Sequence, residues 1–465
     1  MPPPGTRALT LVVASAFFVE SLVSTVIATS LVAMAQDLHV EAVTLKLAFT
    51  AYYVAIAVAV PLCGWLADRL GTRTVFVVSM VVFTLAGVLC ALAWDFPSLI
   101  AGRFLQGLGG ALMMPVGRLA LIRTIPRDQL VAAMAWLSIP ALMAPVLGPP
   151  LGGYITTFHH WRGIFWLGVP VGLLGALAAL RWVPQQRAEQ PDPLDGRGAL
   201  LVGTGLALAT FGFTLAGNDW HELVPGLSMM AVGIVLLLLY GRHARRVAHP
   251  VLDLALFRIP AFRAAIWAGA MFRLANGALP FLLPLMLQIG FGLSAFQSGM
   301  LTFVSALGAM TMKLAAAPIL RRWGFRQVLT HNTWLIGAQM AAIALFTMDT
   351  PHTVIVAVLL VGGFFRSLQF TGLNALCFAE IPHALMPRAT ALNSVVQQLS
   401  LSAGVAVAAL LVDLSRSFDA RQALLATDFG RAIVAVAVIG CLALPWLWRL
   451  APDAGAAVSG HRVAA

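Results

Sequence analysis

The chain has 465 residues, 60% of them hydrophobic and 10% charged, which excludes a soluble globular domain of this length. A mean hydropathy of +0.90 and repeated apolar runs able to cross ~30 Å of hydrocarbon point to membrane helices, not to the short alternating strands of a barrel. The formal net charge of +11 suggests nucleic acid as a partner until the positions of the charges are read, and these argue against it.

Fourteen spans are expected in chain order, at 8–34, 45–67, 75–94, 98–121, 131–155, 163–183, 199–216, 226–240, 264–289, 293–315, 328–348, 353–379, 389–412 and 432–450. The fold class is therefore an all-α polytopic membrane protein. The opening MPPPGTR and the run behind it have the look of a signal peptide, but that run is about twice the usual apolar core, so it reads as a retained first helix. With the N-terminus inside, nineteen Lys and Arg fall in cytoplasmic segments and helix borders, and five fall outside: Lys46, Arg162, Arg416, Arg421 and Arg431. This is the positive-inside bias, and an even helix count brings the C-terminus back to the cytoplasm. The basic residues orient the chain; no nucleic-acid partner is expected.

An internal repeat sets the domain organisation. Residues 67–75 read ADRLGTRTV and residues 320–328 read LRRWGFRQV, sharing R-x-G-x-R-x-V. Ile125-Pro126 is echoed by Ile381-Pro382 at nearly the same offset, 256 residues against the 253 from Arg69 to Arg322. Two homologous six-helix halves follow, 1–183 and 264–465, with linker loops and two inserted helices in 184–263. The inserted spans hold no charged residue, so they are expected beside the bundle, facing lipid. Two parallel halves are the plan of a rocker-type secondary transporter, with the substrate site at their interface near the midplane.

Glu20 is the only one of the eighteen Asp and Glu residues that falls within a span. Placing an acid there costs about 2.5–3.5 kcal/mol on insertion scales and marks a functional site by default, here a proton carrier or the partner of a membrane arginine. Rise per residue puts Arg103 of the fourth span at a depth similar to that of Glu20, and Arg273 and Arg366 near mid-membrane. Asn276, Gln369, Asn374, Asn393, Gln397 and Gln398 are expected to line the same cavity as neutral hydrogen-bonding groups, or to bond between helices.

Three segments carry a family likeness: GWLADRLGTRT at 64–74, RFLQGLGGALMMP at 103–115 and APVLGPPLGGYI at 144–155. On these, and over nearly its whole length, the sequence resembles the fourteen-helix drug:proton antiporter branch of the major facilitator superfamily. The resemblance implies two six-helix halves plus two inserted helices. It implies that Gly64, Asp68, Arg69, Gly71 and Arg73 form a gating loop that latches the outward-open state, with Arg118 as the expected partner of Asp68. It implies a part in proton transfer for Arg103, and it makes Gly148, Pro149, Gly152 and Gly153 the motif that marks exporters. Prolines 140, 145, 149 and 150 would kink that span, and Gly148-x-x-x-Gly152 would admit another helix closely.

The chain departs from the family in its first span. LVSTVIATSLV from Leu22 places Val23, Ala28 and Val32 where these antiporters carry Asp, Asn and Pro. Glu20 stands one helical turn before Val23 on nearly the same face and is expected to take over the acidic role. Two central arginines against one acid make the cavity electropositive, so an anionic or zwitterionic amphiphile competes with the cationic drugs usual for the family.

Only two lysines occur, Lys46 and Lys313, each followed by Leu; no phosphate-cradling GxxxxGK[ST] loop exists, and ATP is not the expected fuel. His159-His160 lacks further ligands, and Cys63, Cys90, Cys377 and Cys441 show no metal spacing, so no cofactor and no metal are expected. No clustered catalytic constellation favours a membrane-embedded enzyme. The expectation is a proton-coupled exporter of drugs or amphiphilic small molecules in the bacterial cytoplasmic (inner) membrane. Its partners are the substrate, protons, the bilayer and other efflux components. A transporter of an organic anion or metabolite, or an uptake symporter of the same fold, is the alternative.

Overall fold

The computed structural model describes residues 4–125, 127–188, 193–216, 220–382, 385–419 and 423–461. These residues are helical, with no strand among them. The first expected span is α1 (Pro4–Val26), a 3-10 stretch over Ile27–Ser30, and α2 (Leu31–Asp37). The tightening falls where Thr25 and Thr29 turn their hydroxyls back onto carbonyls of the preceding turn, a bond that competes with the helix ladder. The second is α3 (Lys46–Ala59) and α4 (Cys63–Leu70), joined through a 3-10 turn at Val60–Leu62 that holds Pro61.

Then come α5 (Thr72–Ala91), α6 (Phe96–Thr124), α7 (Arg127–Phe158), α8 (Gly163–Trp166) and α9 (Gly168–Trp182). A capping box sets the start of α6: Asp95 accepts from the Ser98 amide at 2.9 Å, and the Ser98 hydroxyl accepts from the Asp95 amide at 3.2 Å. α7 stays one helix of 32 residues despite Pro140, Pro145, Pro149 and Pro150. The inserted pair is α10 (Gly196–Ala216) and α11 (Trp220–Ala244). α12 (Pro260–Leu285) ends in a π-turn at Met286–Gly290, just past Pro280 and Pro284. α13 (Ala295–Ala344), α14 (His352–Ala379), α15 (Met386–Phe418), α16 (Ala426–Cys441), α17 (Leu444–Trp448) and α18 (Ala456–Ser459) complete the chain. α13 is two limbs, Ala295–Lys313 and Ala315–Ala344, bent by 70°, and Gly324 within the second is non-helical at φ 70° and ψ 165°.

Among the described residues, eleven helices are long and apolar enough to cross a membrane, or twelve with bent α13 taken as one span. On that measure the structure stops short of the fourteen expected. The difference lies at α7 and at the two limbs of α13, which occupy the expected fifth, tenth and eleventh spans.

The chain forms two compact units, one running to Val251 and the other starting at Leu252. In the first, α1 lies against α6, α7 and α9, while α5 packs on α6 and α9. Val13, Phe17, Met80, Phe83 and Val116 fill the space between them. The inserted pair packs with this unit, α10 lying on α3 with Thr50 and Thr214 hydroxyls 3.4 Å apart. α11 turns Val224, Val232, Val235 and Leu238 outward, the aspect of a lipid-facing helix. Its ends reach past the expected span and bring in Glu222 and Arg242, so the helix itself is not free of charge. In the second unit α12 packs on α15, α16 and α14, and the limbs of α13 pack on α14.

Candidate functional site

Glu20 lies on α1, half-buried. Tyr52 of α3 donates its phenolic hydrogen to Glu20 Oε1 at 2.8 Å, and the Ser21 hydroxyl reaches Oε2 at 3.4 Å. Arg103 of α6 is fully buried, and its guanidinium carbon stands 4.3 Å from the centroid of the Tyr52 ring. Arg103 donates to Gln106 Oε1 at 2.6 Å, one turn along its own helix. Among the described residues neither Glu20 nor Arg103 belongs to an ion pair. Tyr52 therefore joins the acid to the cation, with its hydroxyl on one and its ring face on the other. The cation–π contact and the charge-assisted amide bond supply part of what water would give the buried guanidinium.

The loop between α4 and α5 is also in this unit. Gly71 has φ 94° and ψ 148°, a backbone that side chains rarely adopt, and this places the two helix ends side by side. Asp68 pairs with Arg123, not with the expected Arg118: Arg123 Nη2 lies 2.6 Å from Asp68 Oδ1. The reason is reach. Arg123 sits in the last turn of α6, while Arg118, more than a turn earlier, lies with its guanidinium carbon 5.7 Å from the Phe17 ring. Arg73 donates to the Val183 carbonyl at 2.5 Å, and Arg69 lies 5.5 Å from the Trp65 ring centroid. Gly64, the first residue of the expected gating loop, makes no close approach: a Cβ there would meet nothing within 4 Å.

A feature the sequence reading missed is the chain after α9, which is stitched onto this loop. Thr72 donates to the Pro184 carbonyl at 2.7 Å, and Gln185 reaches the Leu70 carbonyl at 2.9 Å and Thr74 Oγ1 at 2.8 Å. The Ala188 amide donates to the Asp68 carbonyl at 3.1 Å.

In the second unit Arg273 of α12 is 1% exposed. It donates through Nη2 to Asn374 Oδ1 at 2.8 Å and lies 5.7 Å from the Phe370 ring centroid. Asn393 donates to the same Asn374 oxygen at 3.4 Å. Arg273 Nε and Nη1 have no hydrogen-bond partner among the described residues. Arg366 donates to Ser305 Oγ. Of the two roles expected for Gln369, lining a cavity or bonding between helices, it takes the second: it is fully buried and locked between α13 and α14 by Asn332 at 2.8 Å and Thr333 at 3.0 Å. Asn276 and Gln397 are half-buried. The structure thus gathers Arg273, Asn374 and Asn393 into one cluster and leaves Arg366 in another.

The sequence profile of the Major Facilitator Superfamily matches residues 13–405. The chain belongs to the Major Facilitator Superfamily. It is 36% identical over 416 residues to a candidate multidrug resistance protein, MdtD, of Escherichia coli strain SMS-3-5, covering 89% of this chain and 87% of that one. The MdtD of Shigella sonnei strain Ss046 is 37% identical over 418 residues, with the same coverage. Among solved structures, the D-xylose–proton symporter superposes with a TM-score of 0.69 at 14% identity, covering 95% of this chain and 97% of that one. The human organic anion transporter TETRAN gives 0.62 at 16% identity, covering 96% and 100%. These two show the shared fold and nothing finer.

Within this facilitator the glycines of 144–155 sit where α7 crosses the end of α1. A Cβ on Gly148 would strike Thr25, and one on Gly152 would strike the Val26 carbonyl and Thr29 Oγ1. Pro149 is half-buried and Gly153 buried along the same helix. Ser30 and Thr156 hydroxyls close the crossing at 2.6 Å. Tyr52 and Gln106 had sequence signals: two of only four tyrosines stand adjacent in one span, and Gln106 is one turn from Arg103.

Proposed function

We propose that this facilitator is a proton-coupled exporter of amphiphilic small molecules. On this reading it has fourteen helices in the bacterial cytoplasmic membrane, both termini on the inner side, and alternates between inward- and outward-open states. α7 supplies the fifth span and the two limbs of α13 the tenth and eleventh. The observation that carries the reading is the carboxylate of Glu20, held by the Tyr52 and Ser21 hydroxyls and, among the described residues, by no cation. An acid fixed in an ion pair resists protonation, whereas one held by a neutral hydroxyl can take up a proton and release it as its surroundings change. Tyr52 keeps a donor aimed at the carboxylate, with Arg103 against the ring. Asp68, Arg123, Gly71 and the stitched segment 183–188 act as the latch that opens and closes with each cycle.

Glu20→Gln, reconstituted in proteoliposomes, tests the reading. Substrate accumulation driven by an imposed pH gradient should vanish while exchange without a gradient persists. Uphill transport by Glu20→Gln at the wild-type rate would exclude Glu20 as the proton carrier.

One observation favours a second reading of the substrate. Arg273 is buried with Nε and Nη1 unused among the described residues, and an unsatisfied buried charge is costly; a carboxylate or phosphate of an organic anion or zwitterion would satisfy them. An anionic or zwitterionic amphiphile is the substrate class this arrangement fits.

A further inference from the structure

The repeated loop is built differently in the two units. Residues 69–75 have an acid before them, Asp68, paired with Arg123. Residues 322–328 have Arg321 at the matching place. The second copy therefore carries Arg321, Arg322 and Arg326 within six residues, and none of them forms an ion pair among the described residues. Arg321 and Arg322 are exposed and Arg326 is half-buried.

Beside these cations, where α13 bends, lies a cavity of about 460 Å³ between the two limbs of α13 and α14. Its wall is apolar, built by Met312, Ile319, Trp323, Phe364 and Leu368, with His331 at one side. The volume falls in the range that holds small organic ligands. Trp323 connects the two features: its ring lines the cavity and is half exposed, and the Arg322 guanidinium carbon stands 5.6 Å from its centroid. Asn332, also on the wall, has its Oδ1 buried without a partner among the described residues.

We propose that this cavity is a binding site for an anionic phospholipid, with an acyl chain in the pocket and the phosphate on Arg321, Arg322 and Arg326. Guanidinium groups bind phosphate oxygens in paired hydrogen bonds, and basic pockets between membrane helices select anionic headgroups. A zwitterionic headgroup brings its own cation against three arginines and loses part of that attraction. A free phosphate has nothing to fill the apolar wall. The tryptophan suits the level of the headgroups, where its ring is apolar on one side and polar on the other.

The full-length protein, delipidated in neutral detergent, is titrated with phosphatidylglycerol, with phosphatidylcholine of the same chains and with glycerol phosphate. Binding is read by native mass spectrometry. Phosphatidylglycerol should bind at least tenfold more tightly than phosphatidylcholine, and glycerol phosphate should not bind at the same concentrations. The triple change Arg321→Gln, Arg322→Gln, Arg326→Gln should bring the two lipids to equal affinity, and the triple Lys variant should keep the preference. His331→Trp, which fills the cavity, should weaken both lipids. If the triple Gln variant does not accumulate, Arg322→Gln alone should narrow the preference at least threefold. Equal affinity of the wild type for both lipids, or a preference unchanged in the Gln variants, overturns the proposal. Tight binding of glycerol phosphate would make the arginines a site for free anions and overturn the lipid assignment.

Discussion

Tyr52 and Glu20 meet across two helices through one hydrogen bond of 2.8 Å, while the face of the Tyr52 ring carries Arg103. Tyr52→Phe removes the bond and leaves the ring. A hydrogen bond to a charged group contributes about 1.5–3 kcal/mol, so transport driven by a pH gradient should fall about tenfold or more while the protein still accumulates in the membrane. Tyr52→Leu, which also strips the ring from Arg103, should in addition lower the melting temperature. Flux measured in everted vesicles separates the two. Wild-type flux in Tyr52→Phe would remove the tyrosine from the proton step.

The loop latch makes a sharper prediction, because the structure replaces the expected partner of Asp68. Asp68 and Arg123 are 31–32% exposed, and a pair of that kind couples by only ~0.2–1 kcal/mol. Stability should therefore change little in Asp68→Asn or Arg123→Gln. Turnover should drop in each, and the double variant should lose no more than the worse single one. Arg118→Gln should leave the Asp68 effect untouched. Turnover losses that multiply between Asp68→Asn and Arg123→Gln would show that the contact plays no part in the cycle.

Gly152 gives a structural test of the helix crossing. Its missing Cβ leaves room for the Val26 carbonyl and Thr29 Oγ1; the carbonyl cannot move without shifting the end of α1, and α1 carries Glu20. Gly152→Ala should therefore lower both the melting temperature and proton-driven transport. Gly64→Ala, where a Cβ meets open space, should keep the wild-type melting temperature. Equal thermal behaviour of the two variants would mean that the α1–α7 crossing tolerates a methyl group.

The helices were legible because each apolar run must satisfy its backbone internally, which leaves helix as the only form for a stretch of that length. The same reasoning found Glu20 and Arg103, since a charge inside an apolar run has no ordinary explanation. It did not place Tyr52 between them, because periodicity along one helix says nothing of what another helix brings to it. Arg118, near the cytoplasmic end of its span, was the expected partner of Asp68, yet which side chain reaches Asp68 depends on where α6 ends relative to α4. Gln369 was left with two roles for a related reason. A polar side chain at mid-span can face a cavity or bond a neighbouring helix, and only the positions of Asn332 and Thr333 decide it. The strap at 183–188 is bound by its own backbone groups and by the side chains of Gln185 and Gln186, and polar residues in a linker carry no sign of which loop they reach.

Arg273 carries the last prediction. Its guanidinium has one neutral partner, Asn374, and two donors without any among the described residues, while Nη1 packs over Gly269, where a Cβ would come within 2.7 Å. If those donors hold an acidic group of the substrate, Arg273→Gln should weaken binding of an anionic amphiphile at least tenfold and leave its cationic counterpart unchanged or improved. Arg273→Lys keeps the charge but loses the planar fork, so it should retain the charge preference at reduced affinity. Gly269→Ala displaces Nη1 without removing charge and should weaken the anion by a smaller factor. The matched pair of amphiphiles is measured by scintillation proximity at fixed pH. A cation bound more tightly than the anion by the wild type, and unaffected by Arg273→Gln, would make Arg273 a purely structural residue and restore a cationic drug as the substrate.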